Sequence, residues 1–136
     1  MEHNQKAHAQ MMANTKITEI RGKCPEATQD VHENTKNRDW TIDNYGYGPM
    51  NPDAPNEEFW QKKADIFNTT MEEAMTTRCG NCAAFDQSCS MIDCIAKGIN
   101  EEDSIANPMQ VIQLGNLGYC QLFKFKCAGD RTCNAW

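Results

Sequence analysis

The sequence predicts a small α+β protein, irregular and rich in turns. Three observations carry that class: an amphipathic segment of helical period at 56–67, a run crowded with proline and glycine at 44–55, and two short strand-like segments, 111–114 and 117–126, around Gly115-Asn116. A length of 136 residues suits one domain with a modest core.

Taken in order, residues 1–43 show little periodic pattern. Met11, Met12, Ile17, Ile20, Val31, Trp40 and Ile42 are isolated anchors in a polar background, too few to offset the entropy of ordering the segment by itself. This predicts an extended polar arm over 1–43, held by its own domain or, the preferred expectation, by neighbouring chains in an assembly. His3, His8 and His32 share no helical face and are expected at the surface. Asn44 to Pro55 contains three prolines and two glycines, which exclude a regular helix or central strand. Tyr45 and Tyr47 in this run suit the cover of an apolar pocket, with their hydroxyls left wet.

In the helix at 56–67, Phe59, Trp60, Ala64 and Phe67 lie on one face with Lys63 at its edge, and Asn56 is the expected N-cap. Thr70 with Glu73 gives a capping-box pattern for a second short helix running to Arg78. Ser90 to Gly98 reads as a short amphipathic helix stopped by its glycine. Residues 100–104 form an acidic, solvated loop. Val111–Leu114 and Leu117–Lys126 complete the fold as two strands.

Composition excludes several function classes. A net charge of −6 repels nucleic acid and anionic membrane alike. No apolar run approaches the roughly 20 residues that span a bilayer. Residues 1–10 are polar and lack an apolar h-region, so no secretory signal is expected. Eight cysteines without an export signal read as metal ligands before they read as a disulfide framework. The sequence shows no recognisable general base, nucleophile or phosphate-binding loop, so an enzyme is not expected; electron transfer is the most that the chemistry offers.

Cys79-Gly80-Asn81-Cys82 places two sulfurs on one turn, within reach of one metal centre. The pair alone also serves zinc knuckles and redox dithiols. A thioredoxin-like dithiol requires a βαβ context that is lacking here, and a zinc ribbon requires a second Cys-x-x-Cys. Cys120 and Cys133 are single cysteines near Tyr119, Phe123 and Trp136. Soft thiolates in apolar surroundings suit a delocalised iron–sulfur centre better than Zn²⁺.

These blocks carry a resemblance. Cys79-Gly-Asn-Cys82 followed by Ala-Ala-Phe85, then Gly118-Tyr-Cys120-Gln-Leu-Phe123, then Cys133-Asn-Ala-Trp136, is similar to the high-potential iron–sulfur proteins. The resemblance spans the C-terminal part of the chain from Cys79. It implies a C-terminal unit of that fold, with short helices and a small antiparallel sheet, over a domain at 44–136. It further implies one buried [4Fe-4S] cluster held by Cys79, Cys82, Cys120 and Cys133, with Phe85, Phe123 and Trp136 around it. Cys94 competes with Cys120 for the third ligand place. The whole chain also resembles small iron–sulfur proteins encoded by tailed phages of aquatic bacteria. That implies a virion component present in multiple copies, touching other virion proteins through its arm.

The remaining cysteines, Cys24, Cys89, Cys94 and Cys127, allow two disulfides in three pairings, with Cys94–Cys127 the favoured pair, or buried free thiols. Asn81 and Asn134 are candidate hydrogen-bond donors to the sulfurs, and Lys124, Lys126 and Arg131 are candidate counter-charges. Three functions follow: a structural staple in a virion protein, a soluble one-electron carrier, or a zinc-stapled interaction module.

Overall fold

The computed structural model describes residues 24–136; the expectations for 1–23, including those on His3 and His8, lie outside that range. The chain forms α1 (Glu26–Gln29), α2 (Val31–Tyr45), α3 (Glu57–Phe67), α4 (Met71–Ala74), a 3₁₀ turn at Cys79–Asn81, β1 (Phe85–Asp86), α5 (Cys89–Glu102), α6 (Pro108–Gly115), β2 (Leu117–Cys120) and β3 (Phe125–Ala128). The strands make one antiparallel sheet in the order β1-β2-β3, with Phe85 opposite Cys120, Cys120 opposite Phe125, and Gly118 opposite Cys127. The class is small α+β, as the sequence predicts.

Three apolar clusters hold it. Ala27, Met91, Ile95, Ile112 and Tyr119 join α1, α5, α6 and β2. Tyr47, Phe125 and Cys127 anchor a second, with Ile42, Phe85 and Phe123 packed on it. Trp60, Ala64 and Ala74 tie α3 to α4. Among the described residues no helix is long and apolar enough to cross a membrane.

The first correction concerns the arm. From Glu26 onward the segment predicted to be extended is helical, and α2 runs across the boundary expected at 43/44. Asp30 caps α2 through its carboxylate, which accepts from His32 N and Glu33 N, and Gly46 ends the helix in the left-handed region at φ 60°. The helix docks by amides as well as by apolar area. Asn34 Oδ1 accepts from Lys126 N at 2.6 Å, and Asn37 Nδ2 donates to Lys124 O at 2.6 Å. These two residues lie three apart on one helical face and occupy the open edge of β3. Hydrophobic periodicity does not register such a helix.

The second correction is at 111–114, which belongs to α6 and is not a strand. A short apolar run is ambiguous by period; the Asn107 cap, accepting from Gln110 N at 3.2 Å, and Pro108 in the first turn decide it. Third, the single strand expected over 117–126 is a hairpin, β2 and β3, whose turn ends at Lys124 with φ 61°. Fourth, Gly98 does not stop its helix: α5 continues to Glu102. Gly98 is a contact point, where an added Cβ would stand 1.7 Å from Thr28 O, so only glycine lets α1 lie this close to α5.

The proline-rich run is strapped to the C-terminus. Gly48 and Thr132 exchange backbone hydrogen bonds at 3.0 and 2.7 Å, and Asn134 N donates to Tyr45 O at 2.7 Å. The Gly48–Pro49 peptide is cis. Tyr47 is buried, and its hydroxyl accepts from Ala128 N at 3.1 Å instead of reaching water.

The disulfide expectation is also overturned. Cys24 bonds to Cys94, 70 residues away, not Cys127 to Cys94. Once α1 rests on α5 at Gly98, Cys24 is carried to Cys94, while β3 turns Cys127 inward to a different cluster.

Candidate metal centre

Four segments meet beneath α2. The 3₁₀ turn carries Cys79 and leads to Cys82; it closes with Cys82 N donating to Cys79 O at 2.9 Å. It is pinned to the loop after β3 by Cys79 N to Arg131 O at 2.6 Å and Gly80 N to Gly129 O at 2.8 Å. Trp136 Nε1 donates to Arg78 O and to Asn81 Oδ1, both at 2.9 Å, which fixes the C-terminal indole beside the turn. Cys120 ends β2, Cys127 sits within β3, and Cys133 lies in the segment strapped to Gly48.

One pocket is lined by Cys79, Cys82, Cys120, Cys127 and Cys133, with Ala84, Phe85, Phe123 and Trp136 completing its walls. The room it leaves for a water-sized sphere is about 20 Å³, within about 300 Å³ of non-atom space that includes open solvent. Phe85 reaches it by lying across Gly118, where a Cβ would come within 2.5 Å of the ring. Phe123 forms the outer wall and stacks on Tyr45 at 4.8 Å and Trp40 at 5.9 Å between ring centres. Trp40 and Tyr45 also meet at 5.8 Å, so the three rings form one mutually touching cluster, with Trp40 still 51% exposed.

The four cysteines singled out in the sequence, Cys79, Cys82, Cys120 and Cys133, therefore share one chamber, together with Phe85, Phe123 and Trp136. Cys94 is taken by its disulfide and does not compete with Cys120. Cys89 is exposed on α5. Asn81 does not donate to a sulfur: its Oδ1 accepts from Arg78 N at 3.1 Å and its Nδ2 donates to Thr76 O at 2.8 Å. The Asn134 amide lies against Gly46. Arg131 bonds Met50 O at 2.8 Å and sits over Tyr47.

Two residues escaped the sequence reading. Cys127 is the fifth thiol of the chamber; alternation with buried Phe125 was the available signal. Lys63 is buried, not at the helix edge, and its Nζ donates to Cys133 O at 2.6 Å. Its position among Trp60, Ala64 and Phe67 already marked it as inward-facing.

Electrostatics follow from dryness. Burial pushes the thiols of Cys120 and Cys127 far above the ordinary cysteine value, raises Cys133 to about 12, and raises Cys82. Burial lowers the Lys63 amine to about 8, while the sulfurs of Cys133, Cys79 and Cys82 pull it back up. Backbone N–H groups point at the sulfurs nonetheless: Ala84 toward Cys82, Leu122 and Phe123 toward Cys120, Ala135 toward Cys133. The Phe123 bond measures 3.4 Å. A chamber that disfavours free thiolate yet supplies donors to sulfur fits a cationic group that takes thiolate ligands. Among the described residues no group of three or more His, Cys, Asp or Glu side chains that could hold a metal ion is found. No family model, curated protein or solved structure matches the chain.

Proposed function

We propose that this chain binds one [4Fe-4S] cluster in the manner of the high-potential iron–sulfur proteins, with Cys79, Cys82, Cys120 and Cys133 as ligands. The observation that carries the reading is the convergence of these four residues, from separate segments, on one aromatic-walled pocket. A [4Fe-4S] group supplies one-electron chemistry or covalent cross-linking between distant segments. The chain contributes the dry wall of Phe85, Phe123 and Trp136, the N–H donors from Ala84, Leu122, Phe123 and Ala135, and the Lys63 amine behind Cys133. Burial opposes extra negative charge and the donors favour it; their balance sets the potential.

A zinc module is disfavoured by the motif count. The common zinc ribbon joins two Cys-x-x-Cys pairs, and this chain has one, Cys79–Cys82. The place of the protein as a virion component in many copies, and the contact of its N-terminal part with other virion proteins, rest on sequence resemblance alone; proteomics of purified particles tests them. The test of the ligand set is replacement of each of the four cysteines by serine, with iron and acid-labile sulfide measured after anaerobic preparation. Wild type holds one cluster per chain and each variant loses most of it. Full iron in any of the four variants removes that residue from the set.

A further inference from the structure

A buried polar clasp joins two of the proposed ligand segments. Gln121, fully buried, directly follows Cys120, and Asp86, 3% exposed, ends β1 beside the wall residue Phe85. Gln121 Nε2 donates to Asp86 Oδ2 at 2.9 Å, and Gln121 N donates to Ala84 O at 2.9 Å. The second carboxylate oxygen, Asp86 Oδ1, accepts from Ser88 N at 2.8 Å, at the N-cap of α5. Asp86 is thereby held from both sides. Each ligand segment is anchored locally as well: Phe85 N donates to Cys82 O at 3.1 Å, and Lys124 N donates to Cys120 O at 2.8 Å. Burying an amide and a carboxylate is costly even when they bond each other. An apolar pair would fill the same space without that cost, but it would not fix the angle at which the Cys120 turn meets β1.

We infer that Gln121 is a positioning residue of the cluster site: clasped to Asp86, its side chain sets where Cys120 stands relative to Cys82. The inference rests on the cluster reading above. The ladder between β1 and β2 pairs Phe85 with Cys120, and there it ends. The two Gln121 bonds carry the register one residue further, into the turn that runs on to Phe123. Cys82 and Cys120 therefore keep a fixed relation that does not depend on the group they would bind. Groups that orient a ligand from outside govern how tightly a metal centre is held. Gln121 and Asp86 would act in that way, touching the ligand segments and not the cluster.

The test compares the wild type with Q121A, D86A, the double variant D86A/Q121A and C24S, all prepared without oxygen. Each is measured for iron and sulfide content, resonance Raman of the Fe–S stretching region, and the rate at which EDTA bleaches the visible band. Q121A is expected to bleach roughly tenfold faster than wild type, the low end of what losing an outer partner costs a metal site, with displaced Fe–S(Cys) bands. D86A follows Q121A, and the double variant bleaches no faster than D86A, because the same contact is lost in all three. C24S removes a disulfide that does not line the pocket and keeps wild-type bands. Wild-type bands and bleaching in Q121A overturn the inference. Additive effects in the double variant also overturn it, by making the two residues independent. Bands displaced in C24S as far as in Q121A overturn it too, since general destabilisation would then suffice. Should an alanine variant fail to fold or to hold iron, Q121N decides, because its amide is one methylene too short to reach Asp86. Displaced bands, or iron lost from folded Q121N protein, uphold the clasp, and wild-type behaviour overturns it. Wild-type protein without iron or sulfide overturns the cluster reading itself, a result visible before any variant is made.

Discussion

At Gly98 a single missing methyl group decides how two helices meet. The backbone carbonyl of Thr28 occupies the space a side chain would need, at 1.7 Å from an added Cβ. Gly98→Ala must therefore separate α1 from α5, and overpacking of this severity costs about 3 kcal/mol or more. Denaturant unfolding is the check, and a loss below about 0.5 kcal/mol would mean that α1 is free to move aside. The same residue shows how sequence and structure diverge. A glycine late in an amphipathic run reads as a helix stop, because close backbone approach and helix termination both demand the absence of Cβ. Only the partner, 70 positions away, tells them apart. Lys63 is a similar case: its charge argued for the edge of α3, but its place in the i, i+3, i+4 pattern was inward, and a carbonyl acceptor on Cys133 satisfies it there.

At the scale of elements, α2 shows what periodicity leaves out. Its docking relies on Asn34 and Asn37 bonding the exposed edge of β3, together with Trp40 and Tyr45 covering Phe123. Asparagine and threonine in a helix lower its apparent amphipathicity, so the segment reads as an unstructured arm. Asn34→Ala leaves Lys126 N without its acceptor and is expected to cost about 1 kcal/mol, read as a fall in denaturation midpoint. It is also expected to speed amide exchange along β3, and unchanged exchange there would show that α2 does not protect the strand edge. The site was far more legible than the helix that covers it. Cys79, Cys82, Cys120 and Cys133 stand in short motifs whose spacing is local, and Phe85, Phe123 and Trp136 travel with them. Cys127 belongs to no motif; it reaches the chamber through strand register, Gly118 opposite Cys127, which depends on a hairpin that the sequence presented as one strand.

For the whole molecule, two cross-links divide the labour. The Cys24–Cys94 disulfide ties the start of the described chain to α5 across 70 residues, and the proposed cluster would tie the turn at Cys79 to β2 and the C-terminal segment. Closing a loop of that length is worth about 4 kcal/mol in the chain-entropy view. Cys24→Ser or Cys94→Ser is therefore expected to lower stability by roughly that amount while leaving iron content unchanged, because neither residue lines the pocket. Loss of iron in Cys94→Ser, measured on protein still folded by circular dichroism, would return Cys94 to the ligand set. The three small apolar clusters explain why such staples matter: each holds only three to five fully buried residues, and minimal cores of this kind lean on covalent or metal ties.

The most direct measurement is the absorption and EPR spectrum of protein purified without oxygen, before and after ferricyanide, alongside its metal content. The expected result is a broad visible charge-transfer band, iron and sulfide in equal amounts at one cluster per chain, and an EPR signal that develops on oxidation. The same band with no oxidisable state would assign the cluster to the structural role. A colourless protein that retains zinc, or no metal at all, would contradict the account.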